Sequence, residues 1–147
     1  MNLSHPPSQI IASWLIAEGI FGAYNASTWP LYKSQLPEKS RQNDAAAIYD
    51  TAGIQEGTLQ QGRELINHPG IQIKVRSKVY KDGWNKADDA LQALRGLLRE
   101  EVTLDSTTYR IEAVNPSSDI VPLGQEVQGT ERRELFTVNF LATITVK

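Results

Sequence analysis

The sequence predicts an α+β fold, a mostly antiparallel sheet with an N-terminal helix and a central helix packed on it. Three observations carry that prediction. Ile10, Ile11, Trp14, Leu15 and Ala17 recur at helical spacing, and Ala87, Ala90, Leu91, Leu94, Leu97 and Leu98 do so again mid-chain. Ile71, Ile73, Val75, Ser77 and Val79 alternate with polar residues at the period of two that a half-buried strand requires. Phe136, Val138, Phe140, Ala142, Ile144 and Val146 repeat that alternation at the end of the chain. Helix, strand, strand, helix and two or three further strands pack naturally as one sheet with helices on one face.

The first helix is predicted over residues 8–20. Pro6 and Pro7 block an earlier start, and the Ser8 hydroxyl can accept the free N–H groups of the first turn. Residues 24–44 contain Pro30 and Pro37 and read as a long loop carrying Trp29, Leu31 and Tyr32, large apolar groups that need something to pack on. Residues 45–51 form the first strand. Gly53, Gly57 and Gly62 then punctuate a flexible loop that fits neither phosphate-cradling glycine pattern. His68-Pro69-Gly70 resets the chain before the strand over 71–80, whose polar face carries Gln72, Lys74, Arg76 and Lys78. Asp82-Gly83 turns into a helix over 85–100, with Asp88 and Asp89 near its start and Arg95 and Arg99 near its end, which suits the helix dipole. A strand follows over 107–115. Residues 116–132, with Pro122-Leu123-Gly124, read as a second long loop, and the last strand runs over 133–146. That strand exceeds the usual 3–10 residues, so a bulge or a projecting end is expected.

Composition bounds the function. One domain over residues 1–147 is expected, long enough to bury a core without staples. The absence of cysteine excludes disulfides, thiolate zinc sites and a cysteine nucleophile. Fifteen Lys+Arg against seventeen Asp+Glu give a net charge of −2, without the basic footprint of a dedicated nucleic-acid binder. The N-terminus has no basic region of a secretory signal, and the apolar stretch Ile10 to Tyr24 is too short to span a bilayer. The reading is therefore of a chain assembled inside a cell, with no membrane partner.

No catalytic constellation, metal site or cofactor site emerges. His5 and His68 both stand in loops near prolines, outside any H-x-x-H frame, and read as solvated. Asp88/Asp89, Glu100/Glu101 and Glu131/Glu134 lie at helix ends or beside arginine, where capping or solvation explains them. No G-x-S-x-G elbow nominates a serine. Lys74, Arg76 and Lys78, with Lys81 beyond, form a basic row that is either a DNA-facing surface or a solvated strand face. Trp29, Leu31, Tyr32, Leu123 and Leu141 are candidate subunit-contact residues, with the core as the equal alternative.

Several ordered pieces resemble the tail terminator (minor capsid, tail-completion) proteins of tailed bacteriophages. They are Ile48-Tyr49-Asp50-Thr51-Ala52-Gly53, then His68-Pro69-Gly70-Ile71-Gln72-Ile73-Lys74-Val75-Arg76, Tyr109-Arg110-Ile111, Pro122-Leu123-Gly124-Gln125-Glu126, and Arg132 to Phe140. The family's glycine after the Asp-Thr pair is replaced here by Ala52 before Gly53, and either Arg132 or Arg133 matches the family's arginine. The resemblance implies a structural virion protein of the tail-neck region, assembled in the host cytoplasm. It implies a homo-oligomeric, sixfold ring that caps the tail tube, stops its polymerisation and meets the head-side connector, while genomic DNA passes through without specific binding. Subunit contacts are then expected at Asp50, Gln72, Arg76, Arg95, Arg132 and Asn139. A head-closure or other neck subunit is the alternative within that class, and a small enzyme or nucleic-acid-binding module the alternative outside it.

Overall fold

The computed structural model describes residues 3–37, 43–56, 66–128 and 131–147. The order is α1 (Pro7–Ala17), β1 (Leu31–Lys33), β2 (Ala45–Glu56), β3 (Ile66–Ser77), α2 (Tyr80–Arg95), β4 (Leu98–Leu104), β5 (Thr107–Pro116), β6 (Val121–Gln128) and β7 (Glu131–Val146). One sheet runs β1-β2-β3-β7-β5-β4, with β6 paired to β7 beside this path. Every pairing is antiparallel except β1 with β2. The α+β, mostly antiparallel prediction therefore holds.

Both helices cover the same sheet face. Ile48, Ile71, Ile73, Val75, Phe136, Val138 and Phe140 point into the core against Ile10, Ile11 and Leu15 of α1 and Ala87, Ala90, Leu91 and Leu94 of α2. Apart from Ile48, these are the residues the helical and period-two spacings select, and each large one buried contributes about 1.5–3 kcal/mol. Gly83 lets α2 settle closely on the sheet, since a Cβ there would strike the Phe136 ring.

Several boundaries differ from the sequence reading. Ser8 lies inside α1, whose N-cap is Pro6. The Ser8 N–H and hydroxyl instead donate to Asp50 Oδ1 and Oδ2 of β2, at 2.8 and 2.6 Å, so the helix start is satisfied from across the fold. β2 and β3 extend through Gly53 and through His68-Pro69-Gly70, where a loop was expected, with a bulge between Thr51 and Ile54. Gly57 and Gly62 lie outside the described residues. α2 begins at Tyr80 and ends at Arg95 with Gly96 as its C-cap, and Leu98 starts β4 and is exposed, not part of the buried helical stripe. Pro30 is followed by the three-residue strand β1 inside the expected long loop. Where the second long loop was expected over 116–132, residues 121–128 form β6, and β5 and β7 reach in from either side to Pro116 and from Glu131. Pro122 is tolerated because β6 is an edge strand, and Gly124 takes φ +93 at the bulge between Pro122 and Gly124.

β7 is long because it serves three neighbours. Gly70–Ser77 of β3 pairs with residues 134–141 on one side, while β5 and β6 run end to end along the other.

Candidate subunit interface

β3 ends at Ser77, opposite Glu134, whereas β6 and β7 continue pairing to Gln128 and Glu131. The sheet therefore narrows to a two-stranded arm. Such a ribbon has little stability in water by itself and needs packing at its base. That base is Phe136, fully buried, whose ring meets Tyr80 edge-on at 5.0 Å and Trp84 at 6.2 Å. Tyr80 and Trp84 stand one helical turn apart at the start of α2, so both rings fall on the same side. Their outer surfaces remain exposed and line an open recess with Lys81. Val79, Val121, Leu123 and Val127 are exposed at the same end of the molecule. A gathering of exposed apolar side chains of this kind marks a contact surface more often than a solvated one.

The opposite sheet face is closed by polar groups. Tyr32, Ala45 and Ala47 form a small apolar cluster there, with Leu36 and Tyr49 packed against it. Beside it Arg76 is fully buried, and its guanidinium donates from Nη1 to the Pro37 carbonyl and from Nε to the Asn43 carbonyl at 3.3 Å. Burial, and after it the nearby Arg133 guanidinium, hold the Arg76 group below its ordinary pKa, while Glu126 opposes them. Arg133 is also buried and pairs with Glu126 Oε1 at 3.1 Å. The Ser77 hydroxyl donates to Asp44 Oδ1 at 2.8 Å, fastening the start of β2 to the end of β3.

The expected contact residues divide accordingly. Leu31 and Tyr32 are buried in the chain's own packing, and Trp29 is half-buried under Lys86, whose Nζ sits 5.4 Å from its ring centre. Of the two readings for these loop residues, the core one describes Leu31 and Tyr32. Asp50 anchors α1, and Arg76 lies inside the protein. Leu123, Arg95 and Arg132 are exposed, and Gln72, Asn139 and Leu141 are half-buried on the outer sheet face, where the Asn139 amide N–H donates to Ser118 Oγ at 3.0 Å. Arg132 points away from the cluster that holds Arg133. The basic row does not form: Lys74 is half-buried, Arg76 is buried, Lys78 is exposed, and Lys81 stands on α2 in the aromatic recess.

Neither histidine is simply solvated. His5 Nδ1 lies 2.6 Å from the buried Tyr109 hydroxyl and Nε2 lies 3.1 Å from Asp105, while His68 Nδ1 meets Thr143 Oγ1 at 3.0 Å. Tyr80, Trp84 and Val127 escaped the sequence reading. The spacing Tyr80-x-x-x-Trp84 around Lys81 was the available signal, a helical aromatic pair beside a turn. Among the described residues no group of three or more His, Asp and Glu is arranged to hold a metal ion, and no helix is long and apolar enough to cross a membrane.

The sequence profile of the bacteriophage tail terminator protein family matches residues 21–146. The chain belongs to that family. The match covers every strand and α2, and leaves α1 outside it. A tail terminator is a structural component of the phage tail, so the protein is a virion protein. No curated protein matches the chain. Among the solved structures similar to this chain, one covers 91% of it over 93% of its own length, at 10% identity and a TM-score of 0.41.

Proposed function

We propose that this tail terminator assembles as a closed homo-oligomeric ring, a hexamer, that caps the completed tail tube, stops its polymerisation and joins it to the head-side connector. Membership of the tail terminator family is the observation that carries this reading. The chain acts as a single domain without catalysis or a cofactor, is incorporated during assembly in the host cytoplasm, and lets DNA pass without specific binding, as a net charge of −2 favours.

A ring needs heterologous contacts, in which two different surfaces of one subunit fit each other. The arm with its aromatic base, presenting Leu123, Val127, Arg132, Tyr80 and Trp84, supplies one such surface. The outer sheet face around Gln72, Asn139 and Leu141, with Arg95 at the end of α2, is assigned to further contacts with a neighbour, the tube or the connector. Leu31, Tyr32, Asp50 and Arg76 act indirectly, by holding the elements that carry those contacts.

Light scattering and electron microscopy of the purified chain across a concentration series test the ring. Discrete rings of one size are expected. A chain that stays strictly monomeric, alone and with tail-tube protein present, contradicts it.

A further inference from the structure

We propose that the Arg76–Arg133–Glu126 cluster, whose two arginines are buried, is a coupling device that ties the backbone at Pro37 and Asn43 to the β6–β7 arm, so that loosening either one loosens the other. The coupling belongs to the isolated chain and stands apart from the ring reading.

The geometry is set by strand register. Arg76 on β3 faces Leu135 on β7, and Arg133 stands two residues before Leu135 on the same sheet face, which makes the two arginines diagonal neighbours. Glu126 is the register partner of Arg133 on β6 and accepts from its Nη2 at 3.1 Å. Arg76 reaches the other way, to the carbonyls of Pro37 and Asn43, which flank residues outside the described ones. Three strands and the backbone at Pro37 and Asn43 therefore meet at one cluster of charges, in which both arginines are buried and Glu126 is partly open to solvent.

Two guanidinium groups held together away from water repel one another, and Glu126 is a carboxylate that attracts both. Breaking a buried charge cluster by removing one partner leaves the others poorly compensated. Neutralising Glu126 thus raises the cost of keeping Arg76 in place, and the backbone that Arg76 holds loosens with it. Shortening Arg76 releases the two carbonyls and changes the field at Arg133, which the arm then feels. The coupling is reciprocal, as any linkage between two sites must be.

Hydrogen exchange of the intact chain under native conditions tests this with three variants. Glu126→Gln is expected to speed exchange in residues 121–137 and also in residues 31–37 and 43–48, by roughly 5–150-fold, the span of a typical coupling. Arg76→Lys is expected to speed exchange in residues 121–137 as well as at its own contacts. Gln125→Ala, which removes the 2.7 Å hydrogen bond to Glu134 on the arm's other face, is expected to leave residues 31–37 unchanged. A Glu126→Gln effect confined to β6 and β7, or one spread equally over α2, overturns the proposal. Should Arg76→Lys fail to fold, Glu126→Gln and Gln125→Ala decide it alone.

Discussion

The two faces of the sheet are closed by different means. The inner face carries a continuous apolar set, from Ile48 through Ile71, Ile73 and Val75 to Phe136, Val138 and Phe140, and two helices seal it. The outer face holds only the small Tyr32, Ala45 and Ala47 cluster, and beside it the cover is fastened by buried arginines hydrogen-bonded to carbonyls and a carboxylate. Apolar burial is non-directional and large, so the inner face sets the stability of the fold. Buried charges contribute little net stability, so the outer face adds specific contacts, Arg76 with the Pro37 and Asn43 carbonyls and Arg133 with Glu126, more than it adds stability.

That contrast can be broken most severely at Phe136, which joins the core to the base of the arm. Phe136→Ala is expected to cost about 3–5 kcal/mol in chemical denaturation, since a buried ring that supports Tyr80 and Trp84 is lost. A loss under about 1 kcal/mol would mean that the inner face does not govern stability. Asp50→Ala comes next. It strands the Ser8 N–H and hydroxyl at the start of α1, and a loss of about 1–3 kcal/mol with faster exchange in α1 is expected. Equal protection of α1 in the variant would show the anchor to be dispensable.

Leu123→Ser with Val127→Ser addresses the arm's surface. Both side chains are exposed, so each change should stay within about 0.5 kcal/mol in stability while weakening self-association in light scattering. Unchanged association would remove the arm from the interface. The smallest effect is electrostatic. A hydrogen bond from Lys147 to Glu101, at 2.6 Å, is the main cause that holds this exposed carboxyl below its ordinary 4.5. A lowered carboxyl stabilises the fold above its ordinary pKa and loses that contribution as pH falls through the lowered value. Lys147→Met should move the Glu101 titration, followed by NMR, back toward 4.5, and added salt should move it the same way. Identical titration in the variant would assign the shift to another neighbour.

The inner face was legible because period-two and helical alternation encode it directly: Ile71 to Val75 and Ala87 to Leu94 all point where their spacing says. The outer face was not. Arg76 sits at a polar position of an amphipathic strand, and nothing local reports that it is buried with the Pro37 and Asn43 carbonyls as its acceptors. β6 was hidden by Pro122 and Gly124, a pair that reads as a turn yet fits an edge strand with a bulge. The helix period of Leu94, Leu97 and Leu98 ran on past Gly96, which ends α2 before β4 begins. Local pattern records what a segment buries, whereas cover from a distant segment leaves no periodic trace. Of the contact candidates, Leu123 is marked by being a large apolar residue in a polar stretch and Arg132 by the family resemblance, while Tyr80 reads as the end of the 71–80 strand and Trp84 as part of the turn before the helix, so their pairing on α2 escaped the sequence reading.

The most direct measurement is electron microscopy of tail tubes polymerised from the tail-tube protein with and without this chain. Tubes of limited length, each bearing one ring of this protein at a single end, are the expected result. Tubes that grow equally long in its presence, with no ring at either end, would contradict the proposed capping role.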